Sequence, residues 1–235
     1  MIYGLIIAAG KQSRFNSRIP KCLSKIDNKC ILDSSIDNLS QYCDAVYITC
    51  SIDCLSFFSD YDNIISIESG KGSGDAILKS IAYIIDNNNV SDDDFIIIQW
   101  GDALVNKQVY SILLNNKYNT CTIPCTVEKN PYVQILKDDR SVKVKFSKYG
   151  DSIEEGYHDM CVFMCNIKYL YDYLKQFNNK YYFNGLYNHK HGNEFEFLDV
   201  FNDTNCLANI IEVSDNLVTK SFNTIDELKQ LGGLI

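Results

Sequence analysis

The chain has 235 residues, 46% of them hydrophobic and 22% charged, the proportions of a globular protein with enough length to bury a substantial core. A formal net charge of -8 excludes binding of polymeric nucleic acid through a broad basic surface, while leaving room for one locally positive pocket. No apolar run is long enough for a membrane-spanning helix, and no basic leader with a cleavage site precedes the first apolar run, so a cytoplasmic location is expected.

Ile2 to Ile7 is an apolar run of strand length. It breaks into Ala8-Ala9-Gly10 and then a cationic set: Lys11, Arg14, Arg18 and Pro20-Lys21. Two of the three arginines of the chain fall in this loop. A strand end, a small-residue turn and clustered positive charge make a place where phosphates lie against backbone N–H groups. Ser34 to Leu39 reads as part of a helix, Ala45 to Thr49 as a strand and Ile64 to Ile67 as another. The turn Gly70-Lys71-Gly72-Ser73-Gly74 feeds a helix whose Ile77, Ile81 and Ile84 follow the helical period. Phe95 to Ile98 is a continuous apolar strand that ends in Gln99-Trp100-Gly101-Asp102, and Lys107 to Asn116 is the next helix.

This alternation predicts an α/β fold, a Rossmann-like three-layer arrangement with a mixed, mostly parallel central sheet, whose ligands bind where the strands end at their carboxyl edge. After residue 120 the texture changes. Thr120 to Val127, Tyr132 to Leu136 and Val142 to Phe146 read as strands of mixed polarity joined in hairpin fashion. Met160 to Met164 is an apolar strand, Tyr169 to Leu174 carries a helical stripe, and Glu194 to Phe201 is read as helix. Leu207 to Val213 is a strand, and Thr224-x-x-Glu227 is a capping box that starts a helix ended by Gly232-Gly233. We expect one domain over residues 1–235, with residues 120–200 contributing an acceptor-binding lobe, as a monomer or homodimer. The ten cysteines mostly sit in apolar runs and read as reduced thiols; their spacings lack the turns and nearby histidines of structural zinc sites.

The segment Leu5 to Phe15, followed by Pro20-Lys21-Cys22-Leu23, resembles the signature of the sugar-phosphate nucleotidyltransferases, nearest to the pyrophosphorylase domain that makes UDP-N-acetylglucosamine. Neither the GxxxxGK[ST] pattern nor GxGxxG occurs. Further likenesses follow in order: Gly72-Ser73-Gly74-Asp75-Ala76, Gly101-Asp102, Glu194 to Asp199, and Asn223. The resemblance implies transfer of a nucleoside monophosphate from a nucleoside triphosphate to a sugar 1-phosphate, with pyrophosphate leaving. It implies Ala8, Ala9, Gly10 and Lys11 on the nucleotide, the Gly72-Ser73-Gly74 backbone on its base, and Arg14 and Lys21 on its phosphates. Asp102 and Asn223 would hold Mg2+. The attacking phosphate is anionic at neutral pH, so this chemistry needs charge cancellation rather than a general base.

The pattern departs from the N-acetylglucosamine enzymes where the sugar should sit. Pro131-Tyr132-Val133-Gln134 and Tyr157-His158-Asp159 stand where those enzymes have glycine-bearing segments, and an acidic residue is missing near Ser147-Lys148. Side chains in place of glycine crowd an N-acetyl group. Lys148, His158, Asp159, Glu194 and Asp199 are the candidates for a different acceptor pocket. A cytidylyltransferase acting on a polyol phosphate or another small phosphorylated acceptor is the alternative reading, and an inactive nucleotide-binding regulator a third.

Overall fold

The computed structural model describes residues 1–10, 15, 17–68, 70–138, 141–151, 153, 155–214, 216–217 and 219–234. Ten strands form the main sheet: β1 Ile2–Ala8, β2 Ala45–Ser51, β3 Ile64–Ile67, β4 Phe95–Trp100 and β5 Cys121–Glu128, then β6 Val133–Asp138, β7 Ser141–Phe146, β8 Gly156–Asp159, β9 Val162–Asn166 and β10 Ala208–Glu212. The helices are α1 Ile31–Leu39, α2 Ser73–Asn87, α3 Lys107–Asn115, α4 Ile167–Tyr181, α5 Asp199–Asp203 and α6 Ile225–Gln230.

Successive residues of a strand face opposite sides, and here both sides are covered. Leu5, Ile96 and Ile98 pack with Ile77, Ile81 and Ile84 of α2 and Leu170, Leu174 and Phe177 of α4. Ile6, Phe95 and Ile97 pack with Leu32 and Leu39 of α1 and Val109 and Leu113 of α3. The result is three layers, helix–sheet–helix. It explains why Phe95 to Ile98 is apolar without alternation: neither face meets water.

The strand order is β7-β6-β8-β5-β9-β4-β1-β2-β3, with β10 pairing β5. Pairs β1–β2, β1–β4, β2–β3 and β5–β10 are parallel. Pairs β4–β9, β5–β9, β5–β8, β6–β8 and β6–β7 are antiparallel. The sheet is mixed as expected but not mostly parallel: among the described residues four of the nine pairings are parallel, and apart from β5–β10 these belong to the N-terminal half. There each strand is followed by a helical crossover, whereas β6 and β7 form a hairpin and β8 runs straight on towards β9, so those strands lie antiparallel to their neighbours.

One segment differs from its sequence reading. Glu194 to Leu198 is not helical, and α5 begins only at Asp199. The cause is a tertiary clamp: Phe195 N–H donates to Lys71 O at 2.8 Å, and Phe195 O accepts from Gly74 N–H at 2.8 Å. The terminal cap forms at Thr224 as read, but the Glu227 side chain reaches back one residue further than a capping box requires. Thr224 Oγ1 accepts from Glu227 N–H at 3.2 Å, and Glu227 Oε2 accepts from Asn223 N–H at 2.5 Å. Gly232 follows the helix at φ +76°, the left-handed position at which glycine stops helices. No helix among the described residues is long and apolar enough to cross a membrane.

Candidate functional site

β1 and β4 end side by side, Ile7 opposite Trp100, and the loops beyond them open into a cleft of about 480 Å³. Ala8, Ala9 and Gly10 line one part of it. A Cβ built on Gly10 meets nothing within 4 Å, so this small-residue turn leaves backbone directly accessible to a ligand. Gly101 has a different job. Its N–H donates to Ile7 O at 2.9 Å, and a Cβ there would lie 2.9 Å from that same oxygen. Only glycine lets the end of β4 cross the end of β1 so closely.

That crossing sets the position of Asp102. The fully buried Gln99 secures it further: its amide donates to Ala103 O at 2.9 Å and Ser35 Oγ at 2.8 Å, and accepts from Tyr110 O–H at 2.5 Å. The carboxylate of Asp102 lies 2.7 Å from Lys21 Nζ, which also donates to Phe222 O at 3.2 Å. Phe222 precedes Asn223, and the short antiparallel ribbon Ala103–Leu104 with Lys220–Ser221 brings both alongside Asp102. Lys21, Asp102 and Asn223 thus share one wall of the cleft. Lys11 and Arg14 lie outside the described residues.

Gly72 and Ser73 also line the cleft, while Gly74 is buried just behind them. These glycines have a packing role that the sequence does not disclose. Gly72 sits at φ +95°, and a Cβ on it would fall 2.3 Å from Phe195 O; one on Gly74 would fall 2.6 Å from the Phe195 ring. Ser73 Oγ accepts from Phe197 N–H at 2.9 Å and lies 3.3 Å from Glu196 Oε2. The turn and the 195–197 segment are latched together, backbone against backbone.

Of the acceptor candidates, Lys148, His158, Asp159 and Glu194 line the cleft together with Tyr132, Val133, Phe146 and Glu196. Lys148 forms an ion pair with Glu196, and Tyr149 O–H donates to the same carboxylate oxygen at 3.1 Å. Burial works to lower the Lys148 pKa, but the charge of Glu196 and the hydrogen bonds to Glu196 and Tyr149 together hold the ammonium above its ordinary value. Burial, reinforced by Glu196, pushes Tyr149 up to about 12. His158 Nδ1 lies 3.1 Å from Val133 O; a carbonyl only accepts, so this nitrogen carries hydrogen. Asp159 is buried, and its Oδ1 accepts from Cys161 N–H at 3.0 Å. Cys161 itself has φ +60°, and the Asp159 side chain secures that turn. Glu196 was missed by the sequence reading, although its alternation with Phe195 and Phe197 in Glu194 to Phe197 is the period of extended chain.

Asp199 is placed elsewhere. It is fully buried at the start of α5 and is not among the cleft-lining residues. His191 Nδ1 stands 2.8 and 3.1 Å from its two oxygens, and His189 Nδ1 3.5 Å from one of them. Burial, with the charges of Glu196 and Asp203, raises Asp199 to about 7, while burial lowers both histidines. All ten cysteines are free thiols.

Residues 4–148 match the MobA-like NTP transferase domain, and the chain belongs to that family. The bifunctional protein GlmU of Buchnera aphidicola subsp. Schizaphis graminum is 31% identical over 193 residues, which are 75% of this chain and 40% of that protein; the chain therefore spans well under half of that relative's length. Among solved structures, a Bacillus anthracis protein described as a glucose-1-phosphate thymidylyltransferase, in complex with a sucrose, superposes with a TM-score of 0.73 at 15% identity, covering 98% of this chain and 94% of that one. The inositol-1-phosphate CTP transferase from T. maritima gives 0.70 at 13% identity, covering 98% and 93%. At these identities the two structures speak for the fold.

Proposed function

We propose that the chain transfers a nucleoside monophosphate from a nucleoside triphosphate to a sugar 1-phosphate, releasing pyrophosphate. The observation that carries this reading is that Lys21, Asp102 and Asn223 line the same cleft as the open Ala8–Gly10 turn. One phosphate oxygen of the acceptor attacks the α-phosphorus in line with the departing pyrophosphate, and catalysis consists of alignment and charge cancellation. Lys21 supplies a positive charge at the α-phosphate and is held on the wall by Asp102 and the Phe222 carbonyl. Arg14 forks onto the phosphates and Lys11 adds to their field. Gly10 gives the triphosphate access to backbone, and the Gly72–Gly74 turn borders the base.

The donor set of Asp102 and Asn223, a carboxylate and an amide oxygen at the cleft surface, fits Mg2+, which takes hard oxygen ligands from one or two side chains and completes its shell with water and phosphate. When bound there, it supplies further neutralisation of the charge on the phosphates. Ten unpaired thiols suit a reducing, cytoplasmic setting.

A second reading keeps the chemistry and changes the acceptor to a polyol phosphate. It is favoured by the side chains of Tyr132 and Val133, which line the cleft within the segment that departs from the glycine-bearing one of the N-acetylglucosamine enzymes. The test is pyrophosphate release with Mg2+ and each nucleoside triphosphate against a panel of sugar 1-phosphates and polyol phosphates. Turnover with one pair establishes the reaction and chooses the acceptor. Nucleotide binding without turnover of any pair overturns the enzyme assignment and leaves a nucleotide-binding regulator.

A further inference from the structure

His189, His191 and Asp199 meet in a buried knot outside the cleft lining, with their side chains 2%, 7% and 0% exposed. One nitrogen from each ring and one carboxylate oxygen all lie within 4.8 Å of one another. We propose that this is a site for a single divalent transition metal ion of the zinc class, distinct from the Asp102–Asn223 wall and independent of the reading of the cleft.

The hydrogen bonds around the knot support that occupant. His189 Nε2 stands 2.9 Å from Asp203 Oδ2. An ionised carboxylate only accepts, so Nε2 carries the hydrogen and Nδ1 is the acceptor, taking a long hydrogen bond from His191 N–H at 3.4 Å with Asp199 Oδ2 3.5 Å away. A carboxylate on the far nitrogen of a ligating histidine is also the usual outer partner that fixes ring orientation and tautomer. His191 Nδ1 reaches Asp199 at 2.8 Å and becomes a ligand when its hydrogen moves to Nε2. Ligands placed about 2.0–2.1 Å from a tetrahedral zinc ion are roughly 3.3 Å apart, so the observed separations bracket the required one.

Charge and softness agree. Asp199 and Asp203 bring two negative charges into a shell of Phe146, Tyr149, Phe177 and Tyr181, and a divalent ion balances them. Two imidazoles and one carboxylate suit zinc and its neighbours better than magnesium. The His189-x-His191 spacing is produced by a tight turn closed by paired His189–Gly192 backbone hydrogen bonds at 3.3 and 3.0 Å, with Gly192 at φ +104°. The site is positioned to act on the cleft. His191 stacks on Tyr149 at 4.3 Å with rings 2° from parallel, and Tyr149 holds Glu196, so a metal here stiffens the acceptor wall.

The test strips the full chain with a chelator, reloads it with Zn2+, removes unbound ion and measures metal content by mass spectrometry. The wild type and the Asp102→Ala variant should keep one equivalent, and His189→Ala and His191→Ala should lose it. Asp203→Asn should weaken zinc binding by about 10–100-fold with an unchanged circular dichroism spectrum. If the histidine variants fail to fold, the wild type decides alone: zinc should raise the Tm of the stripped protein, and Co2+ should give the intense visible absorption of a four-coordinate site. A folded wild type that keeps no zinc, or a Tm that zinc leaves unmoved, overturns the proposal in favour of a purely hydrogen-bonded cluster. Zinc retained by the His189→Ala/His191→Ala double variant also overturns it, by moving the ion to the cysteines.

Discussion

Replacing Gly72 and Gly10 by alanine separates two kinds of glycine in one cleft. At Gly72 the added methyl falls 2.3 Å from Phe195 O, 2.7 Å from its C and 2.7 Å from its N, and these are backbone atoms that cannot rotate away. The φ of +95° with ψ of 170° is a region that only glycine occupies readily, costing other residues about 1–3 kcal/mol. Relieving the clash pushes the Phe195 segment off the turn and weakens the Gly74–Phe195 and Phe197–Ser73 hydrogen bonds, about 1 kcal/mol each. Gly72→Ala should therefore lose about 3–5 kcal/mol of a total stability on the order of 5–15 kcal/mol. At about 2–4 °C per kcal/mol for a chain of this size, the Tm should fall by roughly 6–20 °C. Gly10→Ala meets no atom within 4 Å; it should leave the Tm nearly unchanged and weaken nucleoside triphosphate binding by filling space in the cleft. Thermal unfolding by circular dichroism and nucleotide titration on both variants give the comparison. A Gly72→Ala protein that melts with the wild type while losing nucleotide affinity would refute the latch and return the turn to a role in base contact alone.

Asp102→Asn removes a charge but not the shape of the cleft wall, and turnover should fall about a hundredfold, near 3 kcal/mol in the transition state, with unchanged circular dichroism; wild-type turnover would remove Asp102 from the chemistry. Glu196→Gln keeps the Ser73 and Tyr149 contacts while unpairing Lys148, so the KM for the acceptor should rise about tenfold with the KM for the nucleotide unmoved. Equal changes in both constants would place Glu196 at the nucleotide end instead. Cys22 and Cys161 line the cleft, yet burial drives both thiols far above their ordinary range, helped at Cys161 by Asp159 and Asp102. Thiolates are the reactive form, so iodoacetamide in mildly alkaline buffer should leave turnover intact. Inactivation that tracks carboxymethylation of either cysteine would show that reasoning to be wrong.

The elements most legible in the sequence are those whose burial imposes a pattern. Phe95 to Ile98 is covered on both faces and so is continuously apolar; α2 and α4 each face the sheet along one stripe and keep the helical period. The convergence of Lys21, Asp102 and Asn223 is invisible to periodicity and was reached only through likeness to a family. It depends on two-residue ribbons too short to leave a compositional mark. Glu194 to Leu198 misleads as a helix because its course at Phe195 is set by the backbone of a turn more than a hundred positions away. Asp199 fell outside the cleft for a similar reason, since its histidine partners lie on an irregular turn with no period to place them. Sheet direction was legible where helices separate the strands and where only a short link joins β6 to β7, but not for β10, whose parallel partner β5 lies more than eighty positions earlier.

The hydrogen bond from Lys21 to the Phe222 carbonyl joins residues separated by 201 positions. All ten strands of the main sheet precede Phe222 in the chain, and Lys21 and Asp102 are in place well before it. A chain emerging from synthesis can therefore complete its hydrophobic layers while the wall that carries Lys21 still lacks its outer half. Once β10 is paired with β5, closing that wall needs only the short stretch from Glu212 to Phe222, and burial of the Phe222 ring against Phe15, Ile26, Ile31 and Leu228 drives it. Competence to bind a triphosphate should accordingly follow protection of β5 and β10 from hydrogen exchange during refolding, with the site maturing last.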